Sequence, residues 1–229
     1  AGRFGACLMH EPALVADLWS AMQEAAPETP VTIKCRLGVD DQPAEALFAF
    51  VDAAAAAGCA TFVVHARKAW LKGLSPKENR EIPPLDYGIV RTLKKERPSL
   101  KIVLNGGLRD AAHAAAEAEG LDGAMLGRAA YQTPATLLAI DPGQGAAAPS
   151  ADARAAVENF LPYIAARLDE GVPLHAMTRH MLGLFHGAPG GRLWRRALSE
   201  GARAPGAGVE TVRAALDAMR RARGGALAA

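Results

Sequence analysis

The sequence has little cysteine: Cys7, Cys35 and Cys59 are the only three in 229 residues. They cannot all pair with one another and are too few for a disulfide scaffold, which fits a reducing, cytosolic compartment. No CxxC spacing and no histidine ladder accompany them, which argues against a zinc site. No run of about 18 apolar residues occurs, so no membrane span is expected. Net charge is nearly absent as well, at +2 from 26 Lys+Arg and 24 Asp+Glu. With 50% apolar and 22% charged residues, wholesale disorder, collagen and coiled coil are excluded. Nor does the chain open on a methionine or a leader-like stretch. It begins Ala1-Gly2-Arg3-Phe4-Gly5 and reads as a processed start or an internal piece.

Charge is unevenly spread. Residues 1–150 hold 15 basic and 17 acidic residues, and residues 151–229 hold 11 and 7. Every basic residue of the second part is Arg. Arg forks suit phosphate and stack on bases, but a GC-rich genome also favours Arg and Ala. Composition alone does not establish an RNA surface.

The first part alternates helix and strand. A helix over Pro12–Ala25 carries Leu14, Leu18 and Met22 as its expected buried stripe. Strands follow at Val31–Arg36, Thr61–His65, Lys101–Asn105 and Gly123–Leu126. Asp40 or Asp41 is placed to cap a helix near Pro43–Gly58; Asp86 and Asp110 open the two later helices. A short helix through Pro134–Ala139 completes this part. Continuous apolar strands are buried on both faces of a parallel sheet. Four βα units make half of an eight-stranded barrel or a small doubly wound sheet. Residues 143–149 read as a linker after a domain at 1–142. Beyond it, 150–229 reads as all helical, with helices expected over Ser150–Asp169, Pro173–Phe185, Arg192–Ser199 and Val209–Arg221.

In such proteins, function sits at the carboxyl ends of the strands. Here those ends read Lys34-Cys35-Arg36, His65-Ala66-Arg67-Lys68, Asn105-Gly106-Gly107 and Gly127-Arg128. The glycines let backbone N–H groups approach phosphate, a following helix start adds its dipole, and Arg128 adds a fork. Each glycine alone reads as a turn glycine; the two loops together read as a phosphate site. Lys34 and His65 end neighbouring strands and point to one mouth. His65 alone would pass for a core histidine, whereas a lysine is rarely buried without a partner. The Ala66–Pro84 loop is long for a βα connection. Its Arg67, Lys68, Lys72, Lys77 and Arg80 surround Trp70 and face only Glu78 and Glu81. That mixture suits either a solvated loop or a nucleic-acid backbone with a stacked base.

The run from His65 to Arg80, HARKAWLKGLSPKENR, followed by Pro83-Pro84-Leu85-Asp86-Tyr87, closely resembles the A-type tRNA-dihydrouridine synthases. So do Gly2-Arg3-Phe4-Gly5-Ala6-Cys7-Leu8-Met9, Lys34-Cys35-Arg36-Leu37-Gly38, Asn105-Gly106-Gly107 and Leu126-Gly127-Arg128-Ala129-Ala130-Tyr131, in matching order and spacing. The resemblance covers essentially the whole chain. It implies a (β/α)8 TIM barrel that binds FMN, followed by a small all-helical tRNA-binding domain. The implied reaction reduces the C5=C6 bond of D-loop uridines, at positions 20 and 20a, with NADPH as reductant.

By the same resemblance, Lys34 and His65 contact the flavin, and Asn105, Gly106, Gly107, Gly127 and Arg128 hold its ribityl phosphate. Lys77, Arg80, Arg192 and Arg195 touch tRNA, and Arg36 and Arg67 lie near the target base. The family's acid cysteine sits in a Gly-Cys-Pro segment ahead of the Gly-Arg-Phe-Gly motif, so it is expected upstream of Ala1. Cys7 matches a position that is not the acid. On this reading the chain is the carboxyl-terminal half of the barrel plus the helical domain of a cytoplasmic enzyme that is a monomer when full length. The chain alone is expected to be inactive and, with half a barrel's edges open, poorly stable. Two alternatives stay open: a non-catalytic RNA-binding remnant, and another FMN barrel oxidoreductase acting on a small molecule.

Overall fold

The computed structural model describes residues 4–140 and 152–227, with side chains through residue 221. The chain divides into two compact units, Ala1–Gly127 and Arg128–Ala229.

The first unit opens with a 3₁₀ turn at Gly5–His10. It continues through α1 (Pro12–Ala25), β1 (Ile33–Arg36), α2 (Glu45–Ala56), β2 (Thr61–His65), a 3₁₀ turn at Glu78–Arg80 and α3 (Tyr87–Glu96). β3 (Lys101–Asn105), α4 (Ala111–Glu117) and β4 (Gly123–Met125) complete it. The strands form one sheet in the order β1-β2-β3-β4, and every pairing is parallel. A doubly wound sheet reverses its order at a switch point, whereas a barrel adds each strand beside the last. The sequential order selects the barrel type, and the fold is α/β.

Local chemistry explains the helix bounds. The Asp86 carboxylate accepts from the Ile89 N–H at 3.1 Å to open α3, and Lys94 and Lys95 favour its carboxyl end before Pro98. The Asp110 carboxylate opens α4 by accepting from the His113 N–H at 2.7 Å. The helices cover one face of the sheet. Ile33, Cys35, Phe62, Val64, Ile102 and Leu104 point into that layer and meet Leu47, Phe50, Val51, Ala54, Val90 and Leu93. Burying each of the larger of these side chains contributes about 1.5–3 kcal/mol.

Three expectations for this unit need correction. Only β2 approaches burial on both faces; β1 alternates, and Ala124 and Met125 of β4 are exposed, because β1 and β4 are the sheet's outer strands among the described residues. The Leu14-Leu18-Met22 stripe is exposed. α1 instead packs through Val15 and Trp19, whose indole N–H donates to the Val31 carbonyl at 3.0 Å. Neither Asp40 nor Asp41 caps α2; its N-cap is Ala44, with no side-chain bond. Asp40 adopts a left-handed φ of +48° and accepts from the Leu71 N–H at 2.8 Å.

The second unit has helices and no strand among its described residues. It comprises α5 (Arg128–Gln132), a 3₁₀ turn at Pro134–Ala139, α6 (Ala153–Asp169), α7 (Leu174–Thr178), α8 (Gly191–Gly201) and α9 (Val209–Leu227). Trp194 is fully buried at its centre, donating to the Met181 carbonyl at 3.0 Å and meeting Phe185 edge-on at 4.9 Å. The helix expected over Pro173–Phe185 stops at Thr178. The unit boundary at Gly127/Arg128 falls ahead of the expected boundary at 142. α5 packs with the later helices: the Tyr131 hydroxyl meets His180 Nδ1 at 3.1 Å, and Gly183 lies where any Cβ would overlap the Gln132 carbonyl. The expected linker at 143–149 and the Ser150 cap lie outside the described residues; Asp152 caps α6 through the Ala155 N–H at 2.8 Å.

Candidate functional site

The strand register gathers the predicted polar residues on one face. Lys34, Val63, Val103 and Gly123 are aligned across the sheet, and two residues further along stand Arg36, His65, Asn105 and Met125. This face is opposite the helices, since Phe62 and Val64 lie in the core cluster and Val63 does not. Lys34, His65 and Asn105 thus share one surface, but only His65 and Asn105 end their strands; Lys34, expected at a strand end, lies two residues before the end of β1, level with Val63. His65 and Asn105 are buried there.

Second partners fix these side chains. Asn105 Nδ2 donates to the Met125 carbonyl at 2.7 Å, tying β3 to β4. The Tyr87 hydroxyl donates to the Gly106 carbonyl at 2.7 Å. Gly106 and Gly107 have φ of +104° and +68°, a region L side chains avoid. A Cβ at Gly106 would lie 3.2 Å from the His65 ring, and one at Gly107 would overlap Leu85. Both glycines therefore have packing reasons within the protein. Gly127 differs: nothing lies within 4 Å of where its Cβ would be. The helix-dipole part of the phosphate reading loses its support. Asp110 already puts a carboxylate on the first turn of α4, and α5, which Arg128 begins, has five residues. Within the first unit, the positive-φ turn at Gly106-Gly107 and the open approach at Gly127 remain as the parts of that reading, and Arg128 opens the second unit.

A group of cations borders this face. Partial loss of water and the neighbouring Arg36 and Arg80 charges hold Lys34 below its ordinary pKa, against an opposing pull from Cys35. Arg36 is likewise lowered by burial and then by Arg80 and Arg67. Arg36 and Arg67, expected near a target base, also grip the long loop. Arg36 Nη1 donates to the Asn79 carbonyl at 2.7 Å and the Lys68 carbonyl at 3.1 Å, and Arg67 Nη1 donates to the Pro83 carbonyl.

That loop is closely tied down. Ala69 N–H donates to the Gly38 carbonyl at 2.9 Å, Asp40 N–H to the Ala69 carbonyl at 2.7 Å, and Lys68 Nζ to the Gln42 carbonyl. Its centre is Asn79, a buried residue that the sequence reading passed over. Asn79 Oδ1 accepts from the Trp70 N–H at 2.7 Å, and Nδ2 donates to the carbonyls of Trp70, Leu74 and Ser75 at 2.8, 3.2 and 3.3 Å. Ser75 and Glu78 form a reciprocal capping box: the Ser75 N–H donates to Glu78 Oε2 at 2.8 Å, and the Glu78 N–H to Ser75 Oγ at 3.3 Å. The Ser75-Pro76-Lys77-Glu78 spacing was the available signal for that turn. Lys77 and Arg80 flank this short 3₁₀ turn three residues apart, a spacing that puts side chains on one side, and both are exposed.

In the second unit, α8 turns Trp194 and Leu198 inward. Arg192 and Arg195 are exposed at i, i+3 spacing and pair with no acid among the described residues, whereas Arg196 pairs with Glu200 at 3.1 Å. Among the described residues no group of three or more His, Cys, Asp or Glu could hold a metal ion, and no helix is long and apolar enough to cross a membrane.

Comparison with known proteins bears on what this face is for. Similar proteins include the "tRNA-dihydrouridine(20/20a) synthase" of Xanthomonas axonopodis pv. citri, 56% identical over 218 residues, covering 95% of this chain and 65% of the relative. The protein of the same name from Shewanella oneidensis is 50% identical over 220 residues, covering 95% and 65%. That from Escherichia coli O6:H1 is 49% identical over 218 residues, covering 94% and 66%. The chain thus spans about 65% of the length of the first of these relatives. The sequence model described as dihydrouridine synthase (Dus) matches residues 1–220, so the chain belongs to the dihydrouridine synthase family.

Proposed function

We propose that this chain is the flavin-binding and RNA-contacting portion of a tRNA-dihydrouridine synthase that acts on D-loop uridines at positions 20 and 20a. The observation that carries the reading is the common face of Lys34, His65 and Asn105 beside the Gly106-Gly107 turn, in a chain of this family. The donor set suits FMN: a lysine ammonium and an imidazole for the ring system, turn N–H groups and Arg128 for the phosphate. When bound and reduced by NADPH, the flavin supplies a hydride to C6 of the uracil.

The protein's own part is to bind and orient. Lys34 carries its charge among Arg36 and Arg80, so an anionic ligand relieves the repulsion among them. Gly106 leaves the space beside the His65 ring that any Cβ would crowd, at 3.2 Å. Lys77, Arg80, Arg192 and Arg195 take the tRNA backbone and offset the cost of unstacking the target base. The proton for C5 is not assigned to Cys35. That thiol faces the helix layer, and burial pushes it up to about 12. Cys59 is also buried and raised by burial. In the proposed reaction the acid is the family's cysteine ahead of the Gly2–Met9 motif.

The test is an equilibrium titration of the protein with FMN, followed by quenching of flavin fluorescence, alongside binding of tRNA that lacks dihydrouridine. Lys34→Ala is expected to weaken FMN binding, and Arg192→Ala with Arg195→Ala to weaken tRNA binding with a smaller salt slope. A folded protein, by circular dichroism, that binds neither FMN nor tRNA would overturn the proposal. Binding of tRNA without FMN favours the RNA-binding remnant.

A further inference from the structure

Beneath the long loop, a cavity of about 320 Å³ opens within the first unit. Leu37, Trp70, Pro83 and Pro84 give it apolar walls, and Lys68 and Asp86 add one charge of each sign. Its volume lies at the low end of small-molecule pockets, roughly 300–1,000 Å³. It has room for one ring system and none for a duplex.

The walls are held in place. Both backbone polar groups of Trp70 are bonded to the Asn79 amide, so the indole stands on a fixed frame while remaining 37% exposed. Lys68 Nζ is anchored on the Gln42 carbonyl, and Asp86 is fixed by its own N–H to the Ala66 carbonyl at 2.9 Å and by capping α3. A rigid, half-exposed indole beside proline rings is a stacking platform. A purely apolar occupant would strip water from Lys68 and Asp86 without return. The Watson–Crick edge of every nucleobase carries both an N–H donor and an acceptor, so this pair orients a base without selecting which one.

We propose that this cavity takes one unstacked base of the RNA substrate, adjacent to the uridine presented to the sheet face. The inference rests on the RNA reading above and adds a site to it. Two observations choose RNA as the occupant. The same loop carries Arg67, Lys68, Lys72, Lys77 and Arg80 against Glu78 and Glu81, a surplus that attracts a polyanion. Lys68 also follows His65 by three residues, a backbone reach of at most about 11 Å. The cavity is therefore near the face where a flavin would meet the target.

The experiment uses the full chain and a D-loop oligoribonucleotide, with affinity read by anisotropy at several salt concentrations. Trp70→Ala is expected to weaken binding about 5- to 150-fold, the range for loss of one stacked base, with the salt slope unchanged because the indole carries no charge. Trp70→Phe, which keeps a ring, should recover most of that loss. Lys77→Ala should instead lower the slope by about one. An abasic residue at one position next to the target should weaken the wild-type protein by the same factor and Trp70→Ala no further. Wild-type affinity in Trp70→Ala overturns the inference, and so does a loss that no abasic position reproduces, which would assign the cavity to something other than a base. In both cases the RNA reading stands. A wild-type chain without salt-dependent RNA binding overturns both.

Discussion

Replacing Asn79 with alanine tests whether the long loop is a built frame or a solvated connection. The amide makes two short bonds to the Trp70 backbone, at 2.7 and 2.8 Å, and two longer ones to Leu74 and Ser75. The short pair contributes about 0.5–1.5 kcal/mol each, so Asn79→Ala should cost about 1–3 kcal/mol. That cost falls on the loop, not on the sheet, because every partner of the Asn79 amide lies between Trp70 and Ser75. Hydrogen exchange in residues 68–82 should therefore accelerate by roughly 5- to 150-fold, while the urea midpoint of the unit moves little.

Asn79→Asp sharpens the test through its sign. One carboxylate oxygen can still accept from the Trp70 N–H, but the other would face the carbonyls of Trp70, Leu74 and Ser75. The fold then disfavours the charged form and raises this carboxyl above its ordinary value of about 3.9. The variant's deficit is full above the raised pKa and shrinks as pH falls through it toward the unfolded value. Unchanged exchange in Asn79→Ala, or a deficit in Asn79→Asp that grows on acidification, would refute the account.

Three further outcomes are expected. With iodoacetamide at pH 8, intact mass should show native Cys7 labelled first; Cys35, buried and raised to about 12, and Cys59, 1% exposed, should react only on unfolding. Asp52 is held low by its two-pronged bond to Arg97, at 2.7 and 2.8 Å; desolvation pushes Asp122 up, but Lys94 and the Ile102 N–H together bring it down. Both support stability above the unfolded carboxylate range and lose it as pH falls through their lowered values. Asp122→Asn should accordingly flatten the acid limb of a urea-midpoint profile between about pH 2 and 6. In the helical unit, Trp194→Phe should cost about 1–2 kcal/mol through the Met181 carbonyl it abandons, and Trp194→Ala about 3–5 kcal/mol, by chemical denaturation.

Elements whose signals are local were legible in the sequence. Asp86 and Asp110 cap the helices they were expected to open, and β2 and β3 span the residues their apolar runs marked. Periodicity was less informative on α1, where two stripes one residue apart compete. Leu14-Leu18-Met22 is the more apolar, yet Val15 and Trp19 face inward, and Trp19 reaches the Val31 carbonyl twelve residues on. A helical period identifies a stripe but not the surface available to cover it. α7 ends at Thr178, whose hydroxyl bonds back to the Leu174 carbonyl, although apolar residues continue to Phe185.

The candidate site divides along the same line. Strand ends marked His65 and Asn105, and the two-residue alternation of β1 puts Lys34 on the same face one step back from the rim. The frame around them depends on bonds between distant parts of the chain: Arg36 to Asn79 spans 43 residues, and Asp40 to Leu71 spans 31. No spacing rule anticipates those contacts, and they change what the basic residues mean. A loop read as a string of charges is a braced structure. Arg36 and Arg67 hold its carbonyls, the Ser75–Glu78 box sets its turn, and Asn79 fixes the backbone of Trp70. These braces give Lys77 and Arg80, both exposed, a rigid backbone support. A cation on such a support gives up little further backbone freedom when it meets a phosphate. Loosening the braces should therefore weaken RNA binding without removing a charge: Asn79→Ala should lower affinity while leaving the salt slope at its wild-type value, as no Lys or Arg has been lost.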